Sequence, residues 1–213
     1  IIPDSGRLVW QPDIAIGYLD QYAEIRPDLT MKEFLQSAFS KLYEMEERVT
    51  QLYEKAAEGD DRSLELAARY QEELETCDFY SIDTAIERVV NGLGLSAIGL
   101  DRQIAEMSGG QRAKVILAKL LLEKPDVLLL DEPTNFLDKE HVEWLAEYLS
   151  ALENAFLVVS HDYEFLAKFV NRICDIDNHT ITKYYGTYSE FLRKKVVFAR
   201  GLYPSVCGAA KGN

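Results

Sequence analysis

The sequence of 213 residues predicts an α/β domain, with a mostly parallel sheet flanked by helices and a helical hairpin inserted into it. Three observations predict this class. After residue 80, apolar runs of strand length alternate with amphipathic runs of helix length, which is typical of layered α/β folds. Residues 127–130 are continuously apolar, as expected of a strand covered on both faces. Between residues 29 and 79, apolar side chains recur every three or four positions instead.

The composition indicates a folded protein of a reducing compartment. A hydrophobic fraction of 47% supports a packed core, and a net charge of −13 argues against broad nonspecific binding to nucleic acid. The cysteines Cys77, Cys174 and Cys207 form no C-x-x-C pair, so neither a disulfide framework nor a zinc site is indicated. No apolar run approaches the roughly 18–20 residues that span a bilayer. We therefore expect a cytoplasmic protein and, since the chain starts without Met, a fragment.

The first elements are predicted from the local period. Residues 8–10 and 14–19 are short apolar runs, and the simplest interpretation is a pair of strands. A helical stripe follows over 31–56, Gly59 interrupts it, and a second stripe covers 64–77. Because two helices joined by a short turn pack antiparallel, this region is predicted to be a helical hairpin with a mostly acidic outer face.

The remaining elements alternate between helices and strands. Ser81 is expected to cap a third helix that ends at Asn91–Gly92. A helix from Ser108 to about Glu123 precedes the apolar strand. Further on, helices are predicted at 139–152 and 163–171, and strands at 156–159, 173–176 and 180–184.

A helix that starts with two glycines is the first candidate site. Ser108, Gly109, Gly110 and Gln111 leave backbone N–H groups uncovered at a helix N-terminus, where the helix dipole favours negative charge. The Ser108 hydroxyl adds a donor, so the segment suits a nucleotide phosphate. An isolated S-G-G of this kind is more often an ordinary helix cap.

Two adjacent carboxylates form the second candidate site. Asp131 and Glu132 end a hydrophobic strand, and ligands of open parallel sheets bind beyond the carboxyl ends of the strands. Asp131 is placed to hold Mg²⁺, and Glu132 to accept a proton from an attacking water. The alternative is a solvated pair of acids, which is common at strand ends.

The next strand ends in a histidine. His161 follows residues 158–160, and beside an acidic strand end a contact with a terminal phosphate is the favoured interpretation. A lone histidine is otherwise more often structural. His141 and His179 lack such a placement and are predicted to be surface or turn residues.

In this order and spacing, the motifs resemble an ATP-binding-cassette (ABC) ATPase domain, which has a P-loop NTPase core. Residues 107–111 resemble the family signature, 127–132 the Walker B strand and 136–138 the D-loop. Gln21 and His161 resemble the Q-loop glutamine and the switch histidine. The segments 132–138, 160–162 and 185–191 resemble those of the ABC-F branch, whose members carry two cassettes, lack a membrane domain and act on ribosomes.

The resemblance implies ATP hydrolysis with ATP and Mg²⁺ as cofactors, and a role for each matched residue. Glu132, His161 and Gln21 would serve hydrolysis, and Asp131 and Gln21 would hold the metal ion. Ser108, Gly109, Gly110, Gln111 and Asp138 would complete the nucleotide site of a second cassette. The implied partners are that cassette and the ribosome.

The resemblance also implies a division of the chain. Residues 1–28 and 80–191 correspond to the ABC core, 29–79 to an arm-like insertion, and 192–213 to the place where a linker between cassettes starts. The family continues from Lys194 and Lys195 into a charged helix, whereas 196–213 is apolar and glycine-rich.

One departure from the family bears on activity. The 213 residues contain no G-x-x-x-x-G-K-[ST] loop, which in the family precedes the first strand. We therefore expect this chain alone to be inactive. Two alternatives to an ABC-F ATPase are the ATP-binding subunit of a membrane transporter and a non-catalytic interaction module.

Overall fold

The computed structural model describes residues 6, 7, 9–19, 28–177 and 179–199, with side chains to 195. The strands are β1 (Ile16–Tyr18), β2 (Val127–Asp131), β3 (Ala155–Val159), β4 (Arg172–Asp177) and β5 (Thr180–Tyr185). The helices are α1 (Met31–Gln36), α2 (Ser40–Ala57), α3 (Asp61–Thr76), α4 (Ile82–Gly92), α5 (Gly109–Glu123), α6 (Lys139–Ser150), α7 (Tyr163–Leu166) and α8 (Tyr188–Ala199). They form two compact units, one of residues up to 145 with 152–160, the other of 146–151 with the residues from 161 onward.

The first unit is built on a parallel sheet in the order β1-β2-β3. Gly17 of β1 is in register with Leu128 of β2, and Leu128 with Phe156 of β3. Helix α5 packs closely against one face of this sheet: a Cβ added to Gly17 would lie only 2.6 Å from the Leu120 side chain. The predicted α/β class with a parallel sheet flanked by helices is therefore confirmed.

The predicted burial of β2 on both faces is wrong for this chain. Leu128 and Leu130 are buried, whereas Val127 and Leu129, which point to the other face, are only half-buried. In β3 the alternation is the same, with Leu157 and Val159 exposed. Within the described residues, α5 lies against one face of the parallel sheet, and the side chains on the opposite face are half-buried or exposed.

The predicted strand pair at the start of the chain is also wrong. Val9 and Trp10 are exposed and form no strand, and Leu8 lies outside the described residues. Strand β1 pairs with β2 in parallel instead. The Val127 amide donates to the Ala15 carbonyl at 3.1 Å, which extends this long-range ladder, and the Ala15 amide donates to the Asp126 carboxylate at 2.8 Å.

The helical region begins with a capping box. The Thr30 hydroxyl accepts from the Glu33 amide at 3.2 Å, while the Glu33 carboxylate accepts from the Thr30 amide at 2.8 Å. The stripe predicted as one helix over 31–56 is divided by a 3-10 turn at Ser37–Phe39, where the Ser37 hydroxyl donates to the Phe34 carbonyl. Helix α1 packs on α5, whereas α2 packs on α3.

Helix α4 ends where a side chain would not fit. A Cβ on Gly92 would collide with the Trp144 indole of α6. His141, also on α6, places Nδ1 3.1 Å from the Gly92 carbonyl oxygen and is half-buried, so its prediction as a surface or turn residue is wrong. His179 lies in an exposed turn with a positive φ.

The second unit contains an antiparallel ribbon and two helices. Strands β4 and β5 pair along their whole length, and Tyr184 of β5 meets Phe191 of α8 edge to face. The helix predicted over 163–171 is shorter in the structure, where α7 ends at Leu166. A turn follows it, and the chain enters β4 at Arg172. Among the helices that the structure describes, none is long and apolar enough to cross a membrane.

Candidate nucleotide site

The carboxyl ends of β2 and β3 hold the two predicted acids. Asp131 is the last residue of β2, is exposed, and lies in register with Val159 of β3. The backbone N–H of Glu132 donates to the Val159 carbonyl at 2.8 Å, so the ladder continues one residue beyond the strand. The sheet thereby fixes the backbone of both acids at one edge.

Glu132 adopts a strained backbone conformation. Its φ is +45°, in the left-handed region, which costs an ordinary L-residue about 1–2 kcal/mol. Its carboxylate oxygen Oε1 is buried. Strain of this kind persists where the surroundings enforce it, and such positions cluster at functional sites. The chain leaves the sheet after this residue and enters a turn at Pro133.

The segment after Glu132 is a compact turn that leads to Asp138. The Asn135 amide donates to the Glu132 carbonyl at 3.3 Å, and the Leu137 amide to the Thr134 carbonyl at 3.0 Å. Asp138 then precedes α6, and its carbonyl accepts from the His141 amide at 2.9 Å. Two local hydrogen bonds therefore set the distance between the acids and Asp138.

Asp138 is joined to helix α5 by a lysine that the sequence motifs do not single out. Lys114 Nζ lies 3.9 Å from Asp138 Oδ2. The Lys114 side chain is only 13% exposed, while that of Asp138 is 85% exposed. The sequence signal for Lys114 is its position in an apolar helix, between Ala113 and Val115, which are both buried. This ion pair ties the start of α6 to the middle of α5.

The start of α5 is a capping box. The Ser108 hydroxyl accepts from the Gln111 amide at 3.3 Å, and the Gln111 side-chain oxygen accepts from the Ser108 amide at 2.9 Å. Both side chains therefore order the helix start, although the Ser108 hydroxyl keeps its hydrogen for a further bond. A Cβ on Gly109 or Gly110 would meet nothing within 4 Å, so packing in this chain does not explain the glycines.

Of the remaining two predicted site residues, Gln21 and His161, the structure describes only His161. Gln21 lies outside the described residues. His161 belongs to the second unit, is exposed, and comes two residues after the end of β3. The following residue, Asp162, caps α7, with its Oδ1 accepting from the Phe165 amide at 2.9 Å. That hydrogen bond fixes the backbone next to His161.

The donor set fits Mg²⁺ only in company with a phosphate. No group of three or more His, Cys, Asp or Glu side chains within the described ranges could hold a metal ion. Mg²⁺ is commonly bound by one or two carboxylates, with water and phosphate oxygens completing the octahedron. The exposed Asp131 carboxylate is suited to that role, and a cage made of protein ligands alone is not present in this part of the chain.

Known proteins resemble the chain over most of its length. The sequence profile of the family described as ABC transporter matches residues 4–135. The ABC transporter ATP-binding protein YfmM of Bacillus subtilis (strain 168) is 45% identical over 194 residues, which is 89% of this chain and 38% of YfmM. The energy-dependent translational throttle protein EttA of Escherichia coli (strain K12) is 38% identical over 188 residues, which is 87% of this chain and 34% of EttA.

A solved structure shares the fold. A chain in the crystal structure of the complex of archaeal ribosomal stalk protein aP1 and archaeal ribosome recycling factor aABCE1 gives a TM-score of 0.59. It is 20% identical, over 93% of this chain and 32% of that chain. The present chain thus spans less than two-fifths of the length of these relatives.

Proposed function

The chain belongs to the ABC transporter family of ATPase domains, and from this premise we propose that it works within a longer ABC-F type ATPase that hydrolyses ATP and acts on the ribosome. The observation that carries the ATPase part is the edge of the sheet where Asp131 and the strained Glu132 are fixed beside Val159. The ribosomal part is supported by the likeness to EttA, which is named a translational throttle protein. Its place of action would be the cytoplasm.

The proposed chemistry assigns different tasks to the two acids. Asp131 would hold Mg²⁺, which when bound neutralises charge on the nucleotide phosphates. Glu132 would act as the general base that orients the attacking water and accepts its proton. Its backbone is fixed by the hydrogen bond to Val159 of β3, which limits the positions that the carboxylate can take. The family resemblance adds Gln21 at the metal ion and His161 at the terminal phosphate.

The start of α5 would serve the nucleotide of a second cassette. The amides of Gly109 and Gly110 lie in the first turn of α5, where backbone N–H groups have no intrahelical partner, and together with the remaining Ser108 hydrogen they would be donors for phosphate oxygens. Asp138 lies on the same unit and is joined to α5 through Lys114. Asp138 is also joined to Glu132 by the short turn 132–138, so the residues proposed for the two nucleotide sites lie on one unit of the fold.

The chain alone is proposed to bind ATP weakly and not to turn it over. The reason is the missing G-x-x-x-x-G-K-[ST] loop, whose amides and lysine hold the phosphates in this family. Calorimetric titration of the 213-residue chain with Mg-ATP measures this directly. Micromolar affinity would contradict the proposal.

A transporter ATP-binding subunit is the second candidate. The family description and the name of YfmM favour it. The packed pair α2 and α3 within 29–79 favours the ABC-F alternative, in which this region would be an arm. Purification of the longer protein from membranes separates the two: stable association with an integral membrane protein supports the transporter, and its absence together with ribosome binding supports the ABC-F ATPase.

The hydrolytic role of Glu132 has a matched control. In the longer protein, Glu132→Gln is expected to lower the ATP hydrolysis rate by about 10²- to 10⁴-fold, as for the loss of a general base. Glu153→Gln changes an exposed glutamate of the same unit and should leave the rate within about twofold. Equal rates for both variants would show that Glu132 is not the base.

A further inference from the structure

Asp138 occupies the N-cap position of α6, but its side chain does not cap the helix. The Asp138 carbonyl accepts from the amides of His141 at 2.9 Å and Val142 at 3.0 Å, as the carbonyl of an N-cap residue does. An aspartate at this position normally turns its carboxylate onto an amide two or three residues further on. Within the described residues no such hydrogen bond is formed, and the Asp138 side chain is 85% exposed and faces Lys114 instead.

Lys114 presents its charge to this carboxylate from a covered position. Its Nζ lies 3.9 Å from Asp138 Oδ2, and its side chain is only 13% exposed. Ala113 and Val115, on either side of it in α5, are buried. Because an ammonium that is largely removed from water needs a polar or charged partner, Lys114 attracts the Asp138 carboxylate towards α5. The covered stem limits the places where this charge can lie.

Helix α5 also carries the donors proposed for the nucleotide of a second cassette. The Gly109 and Gly110 amides lie in its first turn. Lys114 follows Gly109 by five residues, which places it about 8 Å further along the helix axis. In the proposed function, these amides and the Asp138 carboxylate serve the same nucleotide. One helix would therefore set the spacing between the phosphate donors and Asp138.

We propose that Lys114 is a positioning residue, which keeps the Asp138 carboxylate out of the cap of α6 and holds it at a fixed distance from the start of α5. The inference rests on the proposed function and deepens it, because it adds to the same site a residue that acts through Asp138. The Asp138 side chain remains open to solvent, so its oxygens can still accept hydrogen bonds from the second cassette.

A purely structural ion pair explains the arrangement less well. A pair with one partner as exposed as Asp138 contributes little to stability. The same carboxylate would stabilise α6 more as a cap than as a solvated partner of Lys114. Departures from the locally most stable arrangement are expected at functional positions, which favours a role of Lys114 in orienting Asp138.

Steady-state ATP hydrolysis by the longer protein tests this role with a matched control. Lys114→Met keeps an unbranched stem but removes the charge, and it should lower the rate about tenfold or more, because small misplacements within a site slow reactions strongly. Lys114→Arg keeps the charge and should restore the rate to within about threefold of the original. Lys119→Met removes another paired lysine of α5, 3.5 Å from Glu123, and should change the rate by less than about twofold.

A double-mutant cycle shows whether Lys114 acts through Asp138. Asp138→Asn is expected to lower the rate, and the addition of Lys114→Met should lower it by less than about a further twofold. Independent effects that multiply, or a normal rate in Lys114→Met beside a low rate in Asp138→Asn, would overturn the positioning role alone. A normal rate in Asp138→Asn would instead contradict the role of Asp138 in the proposed function, and with it the inference.

Hydrogen exchange at the start of α6 tests the orientation without nucleotide. In the longer protein carrying Lys114→Met, the released Asp138 carboxylate should take the cap position and accept from the amide of Glu140 or His141. Exchange of at least one of these amides should then slow about threefold or more, whereas Lys119→Met should leave both unchanged. Equal exchange in both variants would show that Lys114 does not keep the carboxylate out of the cap.

Thermal unfolding separates positioning from a structural role. Lys114→Met should lower the melting temperature of the longer protein by less than about 3 °C. A loss of more than about 5 °C, without rescue of the hydrolysis rate by Lys114→Arg, would make Lys114 a structural residue and overturn the proposal. If Lys114→Met fails to fold, Lys114→Gln is compared with Lys119→Gln by the same three measurements.

Discussion

Replacing Glu132 by glycine is expected to stabilise the fold slightly while it abolishes hydrolysis. Glu132 has a φ of +45°, a conformation that costs a non-glycine residue about 1–2 kcal/mol. Glycine removes this cost, so the substitution should raise the free energy of unfolding by that amount. Glycine offsets about 0.4–1 kcal/mol of that gain, because the unfolded chain becomes more flexible. The net expectation is an increase in the free energy of unfolding of between zero and about 1.5 kcal/mol. For the 213-residue chain this corresponds to a rise in melting temperature of up to about 6 °C.

Lys124 provides the matched control for this substitution. It has the same φ of +45° at the C-terminus of α5, where its side chain is exposed. Lys124→Gly should therefore stabilise the longer protein similarly and leave ATP hydrolysis unchanged. Urea denaturation and a steady-state hydrolysis assay are carried out on both variants. A loss of stability of more than about 1 kcal/mol in Glu132→Gly alone would show that its carboxylate is structural and would refute the reasoning.

Three further substitutions test the packing, the ion pair and the first helix cap. Gly92→Ala should destabilise the fold by about 1–3 kcal/mol in urea denaturation, because the methyl group collides with Trp144, although alanine favours helices. Lys114→Met should cost less than about 1 kcal/mol, since its partner Asp138 is largely solvated; a larger loss would mean that Lys114 has a further buried partner. Hydrogen bonds from the Thr30 N–H and hydroxyl hold the pKa of Glu33 below its ordinary value of 4.5. The ionised Glu33 therefore stabilises the fold above pH 4.5, and this stabilisation is lost as the pH falls through the lowered pKa. Glu33→Gln should flatten this part of the acid-denaturation curve, and an unchanged curve would contradict the assignment.

The parts of the fold that local patterns determine were predictable. Ser108 and Gln111 three positions apart predict a helix start, and the structure has that capping box. The apolar run before Asp131 predicts a strand, and β2 ends at that residue. A helix is predicted from residue 139, directly after the turn from Glu132 to Asp138, and α6 begins at Lys139.

The parts that depend on distant partners were not predictable. Residues 8–10 have the composition of a strand, but β1 forms its ladder with β2, more than a hundred residues away. The half-burial of His141 arises from Gly92 on another helix. The ion pair of Lys114 likewise joins two elements that no local period relates. The predicted roles of Gln21, His161 and the α5 glycines in nucleotide chemistry stay predictions.

The central claim, that this cassette belongs to an ATPase acting on the ribosome, is tested most directly by sedimentation with ribosomes. The longer protein carrying Glu132→Gln would bind ATP but hydrolyse it slowly, so the ATP-bound state should accumulate. This variant is expected to sediment with ribosomes in the presence of ATP and to be released when ATP is omitted. Absence of the variant from the ribosomal pellet, with ATP bound to the protein, would contradict it.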